Sequence, residues 1–168
     1  MNNGKFWEEQ YKRIFSRIIG LCFLYVGNQS VAEDLAQDVF LKAMEKFHTL
    51  RVVFNFDTWL KRIAINHCID YLRQQPNFVP VPSEFPDDTT TTEDILLWTK
   101  DITEEELLES IQQLPVLQRT VFNLYAIEGY SHKYIANLLD ITEDYSKQLH
   151  RRARVRLGKI LADKHEIK

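Results

Sequence analysis

Residues 131–161 read SHKYIANLLDITEDYSKQLHRRARVRLGKIL, and this stretch decides the expected fold. Ser131 can cap a short helix that reaches about Leu139, and Thr142 can cap a longer basic helix. Residues 140–142 between the two helices are few enough for a tight turn. A short helix, a tight turn and a basic helix together predict a helix-turn-helix, the motif that places a helix in the DNA major groove.

The apolar and basic side chains of this stretch separate as the motif requires. The corner between its helices needs small or apolar side chains, which are supplied by Ile135, Ala136, Leu139 and Ile141. The second helix carries basic side chains that can contact phosphates: Lys147, Arg151, Arg152, Arg154, Arg156 and Lys159. A solvated, arginine-rich terminal helix would carry the same charges. The two caps and the turn favour DNA binding over that alternative.

Apolar residues recur at helical spacing along nearly the whole chain, which predicts an all-α fold. A first helix is expected from Lys5 to about Val26. Ser30 followed by Glu33 predicts a capping box at the start of a second helix. One broad face of this second helix is apolar and is expected to be buried: Ala32, Leu35, Ala36, Val39, Phe40, Ala43 and Phe47.

A change of composition divides the chain after the third helix. This helix is expected over residues 58–75, capped by Asp57 and ended by Pro76. Residues 76–103 are rich in proline, threonine and acidic side chains, which predicts a linker. The apolar patch at 95–98 inside it is expected to pack locally, and anchoring of a partner is the alternative.

The remaining helices predict a second domain. Residues 103–106 read TEEE and predict another capping box. Pro115 suits the first position of the next helix, which is expected to end at Gly129. The sequence therefore predicts two small helical domains, 1–75 and 104–168, joined by an acidic, Pro/Thr-rich linker.

The net charge of −3 hides an uneven distribution along the chain. Residues 1–75 carry a balance of +2, residues 76–110 a balance of −9, and residues 111–168 a balance of +4. The acidic block lies in the middle, so the two basic ends remain compatible with a nucleic-acid partner.

No residue pattern in the chain predicts catalysis, a cofactor or a metal site. Cys22 and Cys68 lie on separate apolar helical stretches and predict buried free thiols, not a disulfide or a metal site. The five histidines lack metal-ligand spacing. The longest apolar run, residues 18–26, is shorter than the about 20 residues that span a membrane. We expect a soluble, cytoplasmic protein that is not an enzyme.

Two separate stretches also resemble a known family. LPVLQRTVFNLYAIEGYSHKYIANLLDIT at 114–142, with LHRRARVRL at 149–157, resembles region 4 of sigma-70-family factors of the extracytoplasmic-function (ECF) group. AEDLAQDVFLKAMEKF at 32–47 resembles regions 2.1–2.2, and FDTWLKRIAINHCIDYLRQ at 56–74 resembles regions 2.3–2.4. The likeness covers nearly the whole chain in the right order.

The resemblance implies a sigma factor that binds core RNA polymerase and directs promoter-specific transcription initiation. Residues 1–75 would be region 2, which binds polymerase and recognises and melts the −10 element. Residues 104–168 would be region 4, which reads the −35 element. Implied partners are the β′ clamp helices and β flap of polymerase, promoter DNA and an anti-sigma factor.

The resemblance also implies three sets of site residues. Residues implied to bind the polymerase clamp are Asp34, Gln37, Asp38 and Leu41. Residues implied to bind the −10 element are Arg51, Asn55, Trp59, Arg62, Asn66 and Arg73, although Trp59 is equally suited to a core. Residues implied to read the −35 element are Lys147, Gln148, Arg151 and Arg152.

The basic helix departs from the family pattern at two positions. Ser146 and His150 stand where the family usually has apolar core residues. If Tyr145 and Leu149 supplied the packing instead, the helix would be rotated and other side chains would face the groove.

Two other function classes remain open from the sequence. One is a stand-alone helix-turn-helix regulator whose N-terminal helices dimerise or bind a ligand. The other is a protein-interaction domain at the N-terminus with vestigial DNA binding at the C-terminus.

Overall fold

The computed structural model describes residues 3–49, 55–78 and 102–166, and every regular element in these ranges is helical. The chain divides into two compact units, Met1–Pro76 and Asn77–Lys168. The all-α prediction is therefore confirmed over the described residues. Arg51, most of the expected linker and the apolar patch at 95–98 lie outside them.

Within its described residues, the first unit contains three α-helices that pack against one another: α1 (Asn3–Val26), α2 (Gln29–Lys46) and α3 (Phe56–Arg73). The first six residues of the predicted apolar face of α2 are buried, and Phe47, just beyond its end, is partly buried. Cys22 and Cys68 are both buried and free, as expected. Short 3₁₀ turns follow α2 at Phe47–Thr49 and α3 at Pro76–Phe78.

The predicted capping box at Ser30 is wrong. Gly27 ends α1 with a φ of 70°, and Asn28 after it is extended and becomes the N-cap of α2. The Asn28 side chain accepts a hydrogen bond from the Val31 backbone N–H at 3.0 Å. Because asparagine caps as well as serine does, the helix begins as soon as the glycine has turned the chain.

The predicted cap at Asp57 is also wrong. The third helix begins at Phe56, so Asp57 lies inside its first turn, where a carboxylate suits the helix dipole. Asn55 occupies the N-cap position without a side-chain capping bond. The Asp57 carboxylate binds Arg13 of α1 instead.

Over its described residues, the second unit contains four α-helices: α4 (Glu104–Gln112), α5 (Val116–Phe122), α6 (His132–Leu139) and α7 (Glu143–Glu166). The long helix α7 packs against each of the other three. Ile111, Leu114, Ala153 and Leu157 form a buried cluster in this unit.

The capping signals of the second unit are largely confirmed. Thr103 and Glu106 exchange the two hydrogen bonds of the predicted capping box, each 3.1 Å long. Pro115 is the N-cap of α5, one position before the predicted place. Helix α5 continues as a π-helical turn at Asn123–Ile127, which the sequence pattern did not predict. Gly129 follows this turn with a φ of 78°.

Candidate nucleic-acid and protein interfaces

One face of α2 presents all four side chains that the resemblance assigns to polymerase binding. Asp34, Gln37, Asp38 and Leu41 are exposed and lie opposite the buried apolar face. Leu41 is 59% exposed, a large value for an apolar side chain in the middle of a helix. An exposed leucine next to two carboxylates suits contact with a partner surface that is both apolar and basic.

A second group next to this face was missed by sequence reasoning. His67 of α3 lies between Lys42 and Asp38 of α2, with Lys42 Nζ 2.8 Å from its Nδ1 and Asp38 Oδ2 3.4 Å from its Nε2. His67 is 25 and 29 residues from these partners in the sequence. No short-range spacing reveals such a contact, because it exists only once α2 and α3 have packed.

Helix α3 carries the described residues assigned to −10 recognition. Arg62, Asn66 and Arg73 are exposed, and their spacing of four and seven residues puts them along one side of the helix. Asn55 is exposed at the N-terminal end of the same helix. The structure therefore presents a polar, basic side of α3 that begins at Asn55.

Trp59 lies in a group of aromatic rings near the start of α3. Its ring is 5.7 Å from the Phe56 ring and 6.3 Å from the Phe47 ring, measured between centroids. Phe6 and Trp7 of α1 contact the same rings. Trp59 is only partly buried. The aromatic group thus holds one side of the ring and leaves part of it accessible.

An ion pair fixes the first turn of α3 to α1. The Arg13 guanidinium donates to both carboxylate oxygens of Asp57, at 3.0 and 2.5 Å. The hydrogen bonds from Arg13 hold the pKa of Asp57 below its usual value, and they raise the pKa of Arg13. The two residues are 44 positions apart, so the sequence alone did not indicate the pair.

The helix-turn-helix is present as predicted. The Ser131 hydroxyl accepts from the Tyr134 N–H at 3.1 Å, and the Thr142 hydroxyl accepts from the Tyr145 N–H at 3.0 Å. Asp140 turns the chain between the helices with a φ of 57°. Ile135, Ala136 and Leu139 are buried at the corner as expected, and Ile141 is partly buried.

The register of α7 is set by its buried residues. Ser146 is fully buried, and Leu149, Ala153 and Leu157 are buried along the same side. Lys147, Gln148 and Arg151 are consequently exposed on the other side, while Arg152 is partly buried. Leu149 does supply packing, but the rotated helix that would expose Ser146 is excluded. Of the four residues that the resemblance assigns to the −35 element, Lys147, Gln148 and Arg151 therefore point outward, and Arg152 does so only in part.

A hydrogen bond explains how a serine occupies an apolar position of α7. The Ser146 hydroxyl lies 2.9 Å from His132 Nδ1 on α6. Burying a hydroxyl costs little when it has such a partner. The bond also connects the two helices of the motif directly.

His150, the second unusual residue of α7, is packed among rings. Its ring centroid is 4.5 Å from that of Tyr125, which also stacks on His132 at 4.1 Å. Burial, together with the charge of Arg154, lowers the pKa of His150 to about 4. Burial and the charge of Lys147 lower the pKa of His132 as well. Both imidazoles are therefore neutral at pH 7, and both rings pack against Tyr125.

The first turn of α7 is acidic. Glu143 and Asp144 suit the positive end of the helix dipole, but they would repel DNA phosphates. Lys147 Nζ lies 3.9 Å from Glu143 Oε1, one turn away. The basic side of α7 thus begins one turn into the helix.

Two further observations concern the described residues as a whole. Over these ranges, no cluster of histidine, cysteine or carboxylate side chains has the arrangement of a metal site. None of the helices in the same ranges has the length and apolar content needed to cross a bilayer.

Comparisons with known proteins match both units. The family model described as Sigma-70 region 2 matches residues 10–77. The model described as Sigma-70, region 4 matches residues 104–157. The matched ranges contain α2 and α3 in the first case, and α4 to α6 with the part of α7 up to Leu157 in the second.

Individual relatives agree with these models. The ECF RNA polymerase sigma factor SigW of Bacillus subtilis is 31% identical over 88% of this chain and 84% of its own length. The RNA polymerase sigma-H factor of Pseudomonas aeruginosa is 32% identical over 73% of this chain and 69% of its own. The sigma factor RpoE of Bartonella quintana, solved in complex with the anti-sigma factor NepR, shares the fold. It matches with a TM-score of 0.56 at 20% identity, over 94% of this chain and 98% of that one.

Proposed function

We propose a promoter-recognition function for this chain, which belongs to the ECF group of the sigma-70 family. It binds core RNA polymerase, directs it to a class of promoters and helps to open them. The observation that carries this proposal is the presence, in order, of two units that match region 2 and region 4. A stand-alone repressor or activator needs a DNA-binding motif but has no need of region 2.

The α2 face is the proposed polymerase contact. Asp34, Gln37, Asp38 and Leu41 would meet the β′ clamp helices. Binding would remove the apolar surface of Leu41 from water. The carboxylates of Asp34 and Asp38 would complement the charge of a basic partner surface. The opposite, apolar face of α2 packs in the core of the first unit.

The exposed side of α3 is the proposed −10 contact. Arg62 and Arg73 would hold phosphates of the opened strand, and Asn66 and Asn55 would bond to unstacked base edges. The accessible part of Trp59 offers a surface for base stacking. Arg51 belongs to the same proposed contact by resemblance alone.

The exposed side of α7 is the proposed −35 contact. Arg151 and Arg152 suit guanine edges or phosphates, and Gln148 suits an adenine edge. Lys147 adds a phosphate contact close to the start of the helix. The bond between His132 and Ser146 supports this proposal because it holds α7 against α6 in the register that exposes these side chains.

Three further expectations accompany the proposal. The chain would have no chemistry of its own, since polymerase supplies the catalysis. It would act in the cytoplasm, where transcription takes place in bacteria. The β flap and an anti-sigma factor would be further partners.

The decisive experiment is reconstituted transcription with core polymerase and a promoter library. We expect initiation only when the chain is added, at promoters that share −10 and −35 elements. Without such initiation, and with the protein alone footprinting a palindromic duplex site, the stand-alone regulator would be the correct function.

Charge reversal separates polymerase binding from DNA binding. Asp38→Lys should weaken binding to a β′ clamp fragment at least tenfold, because it opposes a basic partner with a cation. Glu9→Lys, which changes an exposed carboxylate on α1, is the matched control and should bind normally. Equal affinities for all three proteins would remove the α2 face from the polymerase interface.

Removal of a single arginine tests the −35 contact. Arg151→Ala should lower transcription from a −35-dependent promoter about tenfold or more, as expected for loss of one specific base contact. On a promoter with a scrambled −35 element, Arg151→Ala and the unaltered chain should give similar levels of transcription. If the variant lost as much on the scrambled promoter, Arg151 would have no sequence-specific role.

A further inference from the structure

A row of three polar side chains joins α2 to α3 beside the proposed polymerase contact. The Lys42 ammonium is 2.8 Å from His67 Nδ1, and His67 Nε2 is 3.4 Å from Asp38 Oδ2. The histidine is contributed by α3 and both of its partners by α2. The row therefore exists only when the two helices are packed together.

The chemistry of the two ends fixes the direction of the hydrogen bonds. An ammonium group has only donors, so Nδ1 of His67 must accept from Lys42. The ring proton then resides on Nε2, which donates to the Asp38 carboxylate. Lysine thereby selects the imidazole tautomer that can hold the aspartate.

Burial differs sharply between the two ends of the His67–Asp38 contact. The His67 side chain is 15% exposed, whereas that of Asp38 is 55% exposed. The ring is held between the helices, and the carboxylate projects outward from it. An exposed aspartate that accepts a bond from a fixed ring has fewer rotamers to lose when a partner binds.

We propose that His67 is a positioning residue that holds the Asp38 carboxylate in the orientation used for docking on polymerase. This inference rests on the proposed role of Asp38 in polymerase binding. His67 itself would not touch polymerase. Its effect is to order the carboxylate in advance, which raises affinity without adding a contact.

Asn66, which precedes His67 in α3, connects this row of side chains with the proposed −10 contact. Asn66 belongs to the proposed −10 side of α3, so the helix that orients the docking carboxylate also carries strand-binding residues. The row of side chains thus ties the proposed docking face to the proposed −10 helix within one unit.

Two substitutions at His67 separate positioning from packing. His67→Phe keeps an aromatic ring of similar shape but removes both hydrogen bonds. His67→Gln keeps an acceptor and a donor side by side on its amide. We expect His67→Phe to weaken binding of the full chain to core polymerase about fivefold to tenfold. His67→Gln should retain most of the affinity of the unaltered chain.

A double-mutant cycle with Asp38→Ala supplies the readout that a merely structural role would not give. In that background His67→Phe should have no further effect on polymerase affinity, because no carboxylate remains to be oriented. Asp70→Asn, an exposed carboxylate on the same helix, is the control and should bind as the unaltered chain does. Thermal unfolding of each variant identifies any general loss of folding.

The possible outcomes distinguish this inference from the proposed function. If the unaltered chain does not bind core polymerase, both fail. If the unaltered chain binds and Asp38→Ala weakens binding, the proposed function stands. The affinity of the His67→Phe variant then tests the positioning role. Unchanged affinity in His67→Phe, or an equal loss with and without Asp38, would overturn the positioning role.

Nitrogen NMR of the His67 ring tests the same inference without polymerase. The Nε2–H tautomer is expected in the full chain, because Nδ1 accepts from Lys42 and Nε2 donates to Asp38. A Nδ1–H tautomer in the unaltered chain would contradict the proposed row of hydrogen bonds.

Discussion

The cores of the two units differ in what they bury. Over the described part of the first unit, the buried side chains are hydrophobic, including two cysteines and a tyrosine. The second unit also buries polar side chains: Ser110, Gln118, Arg119, Thr120, Asn123 and Ser146. A pattern of apolar residues therefore describes the interior of the first unit well and that of the second only in part.

Backbone carbonyls and one neighbouring ring make the polar interior of the second unit possible. Ser110 Oγ donates to the Glu106 carbonyl at 2.8 Å, and Thr120 Oγ1 donates to the Val116 carbonyl at 2.7 Å. Arg119 donates to the Gln112 carbonyl at 3.2 Å. The hydroxyls of Ser110 and Thr120 and one guanidinium nitrogen of Arg119 thus exchange water for a backbone carbonyl, which makes their burial tolerable. The comparison teaches that polarity alone does not place a residue on the surface.

The largest expected effect comes from a polar residue placed in the apolar core. Leu60 is fully buried in α3, and Leu60→Asn would bury an amide that the structure gives no partner. We expect the first unit to lose about 3 to 5 kcal/mol of unfolding free energy. Hydrogen–deuterium exchange of peptides in increasing urea measures each unit separately. A loss below 1 kcal/mol would show that the first core accepts polar groups as the second does.

The next largest effect is a pH dependence confined to the second unit. His150 has a pKa of about 4 when folded and an ordinary value of 6.5 when unfolded. Below pH 6.5 the unfolded chain binds the extra proton, so stability falls as the pH drops towards 4, by at most about 3 kcal/mol. The lowered pKa of His132 acts in the same direction.

Unfolding measured between pH 7 and pH 4 checks this expectation, with His150→Leu as the comparison. The variant should show a flatter decline, because one of the two displaced titrations is gone. Asp57 in the first unit has a pKa below 3.8, so its contribution should be lost only at still lower pH. An equally steep decline in the variant would mean that His150 does not control it.

A smaller effect is expected from the buried serine. Ser146→Ala removes the hydroxyl that bonds to His132, and should cost the second unit about 1 kcal/mol. The first unit should be unaffected in the same exchange experiment. A gain in stability would show that the hydrogen bond to His132 does not offset the cost of burying the Ser146 hydroxyl.

The smallest effect is expected at the exposed ion pair. Arg13 and Asp57 are about half exposed, so Arg13→Ala should change stability by no more than about 1 kcal/mol. The pKa of Asp57 should rise towards its ordinary value, because its hydrogen-bond donors are lost. Carbon NMR of the carboxylate follows this change. An unmoved pKa would show that another cation, such as Arg17, dominates.

Local signals in the sequence predicted most helix boundaries. The caps at Thr103, Ser131 and Thr142 were found because a capping bond spans only three residues. The caps expected at Ser30 and Asp57 failed for two different reasons, of which only the first is local. Gly27 turned the chain early enough for Asn28 to cap, and Asp57 found a partner on another helix.

The candidate sites also divide into residues that local patterns indicated and residues that depend on contacts between distant helices. The α2 face, the α3 side and the basic side of α7 were all assigned from helical spacing and family resemblance, and the structure exposes the described members of each set, Trp59 and Arg152 only in part. His67 was missed because its two partners lie 25 and 29 residues away, where spacing carries no information.

The helical class, most helix ends, the helix-turn-helix and the family could all be predicted from the amino-acid sequence, because they follow from local patterns and the order of motifs. The register of α7 required the folded structure, since a serine and a histidine become interior residues only when His132 and Tyr125 are beside them. The same holds for the pairing of Arg13 with Asp57 and of His67 with Asp38. Such contacts join distant parts of the chain and depend on how helices pack, which local spacing does not encode.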